Sequence, residues 1–274
     1  MVVGIRHGRG IREHLGILDF AHKDHVRPHV QRLHHLARQD AGGGNGILRQ
    51  LDAANVDAAR IRHIILTHAH CDHILGLVWM VRKIGTLIRT DSYDGCLTIH
   101  CSRRNEQRLR AMCEATLEAR FVSLFGERIL FAPVEDGDTH DIYGVPVTFF
   151  DIRSTKEQQY GFTLPLESGG KLTCLGDEPY NPLCESYALG AKWLLSEAFC
   201  LYADRERFRP YEKHHSTVKD ASELAQRLGA AHLVLWHTED KTFDTRKEAY
   251  TAEARQYFSG DIRVPWDLER IELG

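Results

Sequence analysis

Hydrophobic and polar positions along the chain change their period several times, and each change marks an element boundary. Apolar residues at Ile47, Leu48, Leu51 and Ala54 recur at helical spacing and predict a short helix over Ile47–Asn55, after the turn-rich run Gly42-Gly43-Gly44-Asn45-Gly46. Ile61–Leu66 reads as a short apolar strand, followed by a polar loop from Thr67 to Asp72 and an apolar helix from Ile74 onward. Leu97–Cys101 is a further strand, and Glu106–Ala119 a helix of good intrinsic propensity. Strand patterns then dominate over Ile129–Val134, Val145–Ile152, Tyr160–Leu166 and Lys171–Cys174, the last after a Ser168-Gly169-Gly170 turn. The final third alternates, with Trp193–Ala198 and His232–Trp236 as strands and Val218–Leu228 as a helix between them. Strands that pair locally and also alternate with helices predict sheets covered by helices, a layered α/β architecture. No linker or internal repeat interrupts the pattern, so residues 1–274 are expected to form a single domain.

Residues 1–39 break this regularity. Seven histidines (7, 14, 22, 25, 29, 34 and 35) stand there among many arginines, with only a weak helical period around His29–Ala37. The segment is expected to be an atypical or poorly ordered surface element.

Composition narrows the function classes. The 35 Lys and Arg against 38 Asp and Glu give a formal charge of −3, which excludes a polyanion binder driven by a strong basic excess. Hydrophobic residues at 43% and charged residues at 27% are ordinary globular values. The longest apolar stretch, Ile74–Val81, is far short of the roughly 20 residues that span a bilayer, and no partner role for a membrane is expected. The seven cysteines form no CxxC pair, which argues against a zinc ribbon or a thioredoxin-type site; without a signal-like start, a reducing cytoplasm is expected. The distinctive number is 17 histidines, because imidazole is the commonest transition-metal ligand.

Thr67-His68-Ala69-His70-Cys71-Asp72-His73 concentrates that chemistry. Three imidazoles and one carboxylate within six residues, directly after a strand, suit zinc or a similar borderline metal, with manganese or iron as alternatives. Two overlapping sets, His68 with His70 and Asp72 with His73, suit one or two ions. Cys71 is expected to pack rather than to bind metal.

The run His68-Ala69-His70-Cys71-Asp72-His73 resembles the HxHxDH signature of the metallo-β-lactamase superfamily. That resemblance implies a four-layer αβ/βα sandwich, with Asp177 of Leu175-Gly176-Asp177 as a further ligand and His237 as the last histidine ligand. Asp40-Ala41-Gly42 resembles the family's early Asp-x-Gly, which buttresses the metal loop. Ser196-Glu197-Ala198-Phe199 and His215-Ser216-Thr217 are similar to the ribonuclease Z group of phosphodiesterases, which implies that His215 protonates or stabilises the leaving oxygen while Glu197 holds its tautomer. His214 is the alternative to His215, and Asp240 and Tyr211 are candidate neighbours of the site. The resemblance further implies hydrolysis by a metal-activated water with Asp72 as base, a small phosphodiester or short nucleic acid as substrate, and a homodimer as assembly. A thioester or other ester hydrolase of the same fold is the alternative reaction, and a metal-binding non-enzyme the alternative class.

Two departures accompany the resemblance. The family has another histidine after the strand ending at Ile152, where this chain has Arg153. A guanidinium has no lone pair to offer a metal. His140 is the nearest histidine and is read as lying in a turn-like stretch before the strand. The interval from Arg153 to Asp177 also leaves no room for a long arm of the kind that grips transfer RNA, which favours a smaller phosphodiester.

Overall fold

The computed structural model of the chain describes residues 2–5, 15–18, 46–266 and 269–273. Val2–Ile5 (β1) and Leu15–Leu18 (β2) are strands. The rest of the atypical segment 1–39, and the Asp40-Ala41-Gly42 motif, lie outside the described residues. From residue 46 onward the described residues resolve into two compact units, 46–133 and 134–273.

In the first unit, helix α1 (Ile47–Ala53) precedes a three-stranded parallel sheet of order β3-β4-β5, formed by His63–Ile65, Leu97–Cys101 and Ile129–Pro133. Parallel strands need crossovers, and α2 (Cys71–Arg89) and α3 (Arg103–Thr116) supply helices for them. Along α2 the buried residues Ile74, Leu77, Val81, Ile84 and Ile88 recur at steps of three and four, so one stripe faces the core with Ile64 and Ile99 of the sheet and Ile47 and Leu51 of α1. Truncating a residue as buried as Leu77 to alanine costs about 2–5 kcal/mol. Gly85 lets this helix approach its neighbour, because a Cβ there would lie 2.8 Å from Phe121 Cδ1.

Two helix starts differ from expectation. Helix α3 begins at Arg103 rather than Glu106, since Ser102 Oγ accepts from Asn105 N at 3.2 Å and caps the first turn. Helix α2 begins at Cys71, with His70 in extended conformation as its N-cap residue. The last two residues of the predicted polar loop, Cys71 and Asp72, are therefore helical. An acidic Asp72 in the first turn suits the positive end of the helix dipole.

The second unit is built on a seven-stranded sheet of order β12-β11-β10-β9-β8-β7-β6. Its strands are Thr139–Ile142 (β6), Val145–Asp151 (β7), Tyr160–Pro165 (β8), Lys171–Cys174 (β9), Trp193–Glu197 (β10), His232–Trp236 (β11) and Asp261–Arg263 (β12). From β6 to β9 the neighbours are antiparallel, and from β9 to β12 they are parallel. Helices α4 (Val218–Arg227) and α5 (Phe243–Ala254) share a core with it, in which Val218, Ala221, Ala225, Tyr250 and Ala254 join Leu194, Leu233 and Leu235. Thr217 and Asp220 close a reciprocal capping box at the start of α4.

The register of this sheet decides where the chemistry falls. Asp151 at the end of β7 pairs with Tyr160 at the start of β8, and Phe162 of β8 pairs with Cys174 at the end of β9. Because β9, β10 and β11 run parallel, their C-terminal ends share that edge. Arg153, Gln159, Asp177, Glu197 and His237 accordingly follow or flank strand ends along one side of a single sheet. Ligand sites at the carboxyl ends of strands are the general expectation for parallel α/β sheets.

Candidate metal centre

In the first unit, β3 delivers the chain into Thr67 and His68, both buried, and the turn into α2 brings the histidine rings together. His68 Nε2 lies 2.9 Å from His70 Nδ1, and the rings of His68 and His73 are 4.1 Å apart at their centroids. His73 Nε2 is 3.6 Å from Asp72 Oδ2. Thr67 Oγ1 lies 3.2 Å from His68 Nδ1 and so can fix that tautomer, leaving Nε2 for a ligand. Cys71, expected to pack, is instead exposed, because the first turn of α2 directs position 71 away from the core stripe.

In the second unit, the strand ends gather Asp177, Glu197, His215 and His237. His237 Nε2 is 3.5 Å from Asp177 Oδ2. A backbone φ of 52° at His237 places this non-glycine residue in the left-handed region directly after β11, which costs roughly 1–2 kcal/mol and is the kind of strain that collects at functional sites. Ligand atoms of Glu197, His215 and His237 all lie within 4.8 Å of one another.

His215 is held from three sides. Its Nδ1 is 3.1 Å from the main-chain oxygen of Asp177 and 3.6 Å from Glu197 Oε2, and its ring stacks on Phe199 at 4.9 Å between centroids. A carbonyl only accepts, so Nδ1 carries the proton there and Nε2 is the nitrogen left for chemistry. The expected partner, Glu197, thus stands behind the Asp177 carbonyl in distance. Its other oxygen accepts from Ser216 N and, at 2.5 Å, from Ser216 Oγ. Ser216 and Phe199 stand inside the sequence motifs around His215 and Glu197, but the sequence assigns neither a role.

Other candidates fall elsewhere. His214, with φ 55°, sends its Nδ1 to within 3.4 Å of Thr155 Oγ1 and so leaves the inward position to His215. Tyr211 donates its phenolic proton to Asp220 at 2.8 Å; burial and this hydrogen bond push its pKa up to about 12. The carbonyl of Asp240 accepts from Phe243 N at 3.3 Å in the turn before α5. His140 lies in β6, an edge strand, rather than in a turn, with its ring 5.4 Å from that of Phe149. It pairs with Val147, and at about 3.3 Å per residue that is roughly 13 Å short of Asp151, so it does not take the place of residue 153.

Arg153 has φ 60° and folds back on two carboxylates. Its Nη2 is 2.7 Å from Asp136 Oδ2 and its Nη1 3.4 Å from Asp151 Oδ2, while its backbone N donates to Asp151 Oδ1 at 2.8 Å. The guanidinium is about half exposed, so the pairs are worth little in stability but fix its direction.

The donor chemistry fits a divalent metal ion. Two nitrogens bound to a tetrahedral zinc at about 2.0–2.1 Å stand roughly 3.3 Å apart. His68 Nε2 and His70 Nδ1, at 2.9 Å, need only a small separation to reach that spacing. The carboxylate–imidazole pair Asp177–His237 at 3.5 Å already has it.

A family model described as the β-lactamase superfamily domain matches residues 40–238, which takes in both groups of residues. Ribonuclease Z of Myxococcus xanthus is 33% identical over 131 residues, covering 47% of this chain and 41% of that protein, less than half of its length. Ribonuclease Z of a Bradyrhizobium species is 26% identical over 279 residues, covering 84% of this chain and 88% of the other. Among solved structures, the short form of human tRNase Z superimposes with a TM-score of 0.62 at 20% identity, over 84% of this chain and 86% of that one.

Proposed function

Since the chain belongs to the metallo-β-lactamase superfamily and is similar to ribonuclease Z, we propose that it is a metal-dependent hydrolase that cleaves a small phosphodiester or short nucleic acid. The proposed ligands are His68, His70, Asp72 and His73 from the HxHxDH run, with Asp177 and His237 from the strand ends. The observation that carries the reading is the anchored His215: its Nδ1 faces the Asp177 carbonyl at 3.1 Å, which leaves Nε2 as the donor for a leaving oxygen.

A bound divalent cation supplies Lewis acidity toward a phosphoryl oxygen and a water of lowered pKa. Asp72 is the proposed base that takes the water's proton. His215 delivers a proton at Nε2 to the departing oxygen, and the neighbouring Glu197 carboxylate stabilises the imidazolium that precedes delivery. Arg153 offers no lone pair and is drawn to Asp136 and Asp151, so the proposed centre holds one cation firmly and a second weakly. Zinc is the proposed ion, with manganese or iron as alternatives.

Assay of bis-(p-nitrophenyl) phosphate against thioester and β-lactam chromogens, with and without chelator, tests the reading. Chelator-sensitive turnover of the phosphodiester alone is expected. Preference for a thioester or a lactam overturns the substrate class, and bound metal without turnover of any ester favours a binding role.

A further inference from the structure

Gln159 is a buried side chain at the strand-end edge of the second unit whose chemistry the proposed reaction does not use. It is 1% exposed and stands immediately before β8. Its amide Nε2 donates to Asp177 Oδ1, while its Oε1 is buried and meets no hydrogen-bond partner among the described residues. The main chain is pinned as well, with Ile152 N donating to the Gln159 carbonyl at 3.1 Å.

Room for this amide is made by Gly176, next to Asp177. A Cβ on Gly176 would lie 2.8 Å from Gln159 Nε2 and 3.2 Å from Ile152 Cδ1, and its φ of 85° disfavours any other residue. The Leu175-Gly176-Asp177 turn therefore admits a side-chain amide against the carboxylate.

The arrangement is unfavourable as pure packing. A buried carbonyl oxygen without a partner forfeits its hydration, and an apolar side chain of the same shape would avoid that loss. A buried polar group held at a cost to stability points to a task, and among the described residues the polar contact of this side chain is the one to Asp177.

We propose that Gln159 is a positioning residue for Asp177: it occupies Oδ1 by N–H donation and so turns Oδ2 toward His237, 3.5 Å away, as the oxygen presented to the cation. This rests on the reading of Asp177 as a metal ligand. It also accounts for a one-cation preference independently of Arg153, because an oxygen engaged by an amide N–H is a poorer ligand for a second ion.

The two roles predict opposite signs in Gln159→Met. Titration of the full-length, metal-free protein with zinc is expected to show affinity reduced about 10–100-fold, the usual effect of removing a group that orients a ligand. The midpoint of thermal unfolding of the metal-free protein is expected to stay level or rise, since the unpartnered oxygen is gone. Unchanged zinc affinity overturns the proposal, as does a fall in the unfolding midpoint with zinc affinity intact. Should that variant not fold, Gln159→Asn keeps the polarity but falls one methylene short of Asp177. At least a threefold loss of zinc affinity is then expected, and none overturns the proposal. Wild-type protein that binds no zinc at all would instead refute the assignment of the centre itself.

Discussion

The two groups of candidate site residues are built in opposite ways. In the first unit His68, His70, Asp72 and His73 are neighbours in sequence, and one strand-to-helix turn is enough to bring their rings within 4.4 Å and 4.1 Å of each other. In the second, Asp177, Glu197, His215 and His237 are spread over some sixty residues and meet only because β9, β10 and β11 run parallel in register. A local motif survives almost any error in reading the fold. A strand-end constellation depends on every crossover being right, and its supporting groups are visible only after the register is known.

Removing one ligand from each group carries the largest expected effect. His70→Ala and Asp177→Ala are each expected to lower kcat/KM by about a thousandfold, equivalent to the several kcal/mol a cation supplies to a phosphoryl transition state. A large loss from only one of them would mean that the two groups do not serve one reaction. Steady-state kinetics on a phosphodiester substrate makes the measurement.

A finer division lies within the strand-end group. His215→Gln is expected to reduce kcat by about 10²–10⁴-fold while metal content, read by elemental analysis, is unchanged. Glu197→Gln should cost about tenfold to a hundredfold, because Asp177 O still holds His215 Nδ1. Equal loss in both would show that the carboxylate, rather than the carbonyl, fixes the ring.

The smallest effect belongs to the opposite end of the same sheet. There Asp261 Oδ2 meets His232 Nδ1 at 3.1 Å and Arg263 Nε at 2.8 Å. Burial pushes the Asp261 pKa up, but the hydrogen bonds and charges of His232 and Arg263 outweigh it and hold the pKa below the usual carboxylate value. A carboxylate with a lowered folded pKa contributes stability above its unfolded pKa and loses it as pH falls through the folded one. Asp261→Asn should therefore lower Tm by no more than about 2 °C at neutral pH, by nothing once Asp261 is protonated in both states, and should leave turnover intact.

Periodicity identified the elements that make the core. Strands Leu97–Cys101, Lys171–Cys174 and His232–Trp236 stand at their predicted bounds, because each is a short apolar run buried in a sheet. Strands β6 and β12 and helix α5 escaped it. Thr139–Ile142 and Asp261–Arg263 are edge strands with mixed polar faces, and α5 turns only Arg246, Tyr250 and Ala254 inward. Helix α2 starts at Cys71, three residues before the expected Ile74, because the polar run from Cys71 to His73 hides its first turn from the apolar pattern. At the site, the run of His68, His70, Asp72 and His73 stands out in the sequence by its side-chain chemistry, whereas Asp177, Glu197, His215 and His237 are implied only by the resemblance to the family. Gln159, Ser216 and Phe199 are not legible there, since an amide, a hydroxyl and a ring acquire their roles only from what the register sets beside them.

Metal stoichiometry bears most directly on the account. Wild type and Asp177→Ala, purified without chelator, are to be compared by elemental analysis, so that any metal collected by histidines elsewhere in the chain cancels. One tightly held equivalent is expected in wild type, and it is expected to be lost in Asp177→Ala. Two tightly held equivalents lost together, or no difference between the proteins, would contradict that expectation.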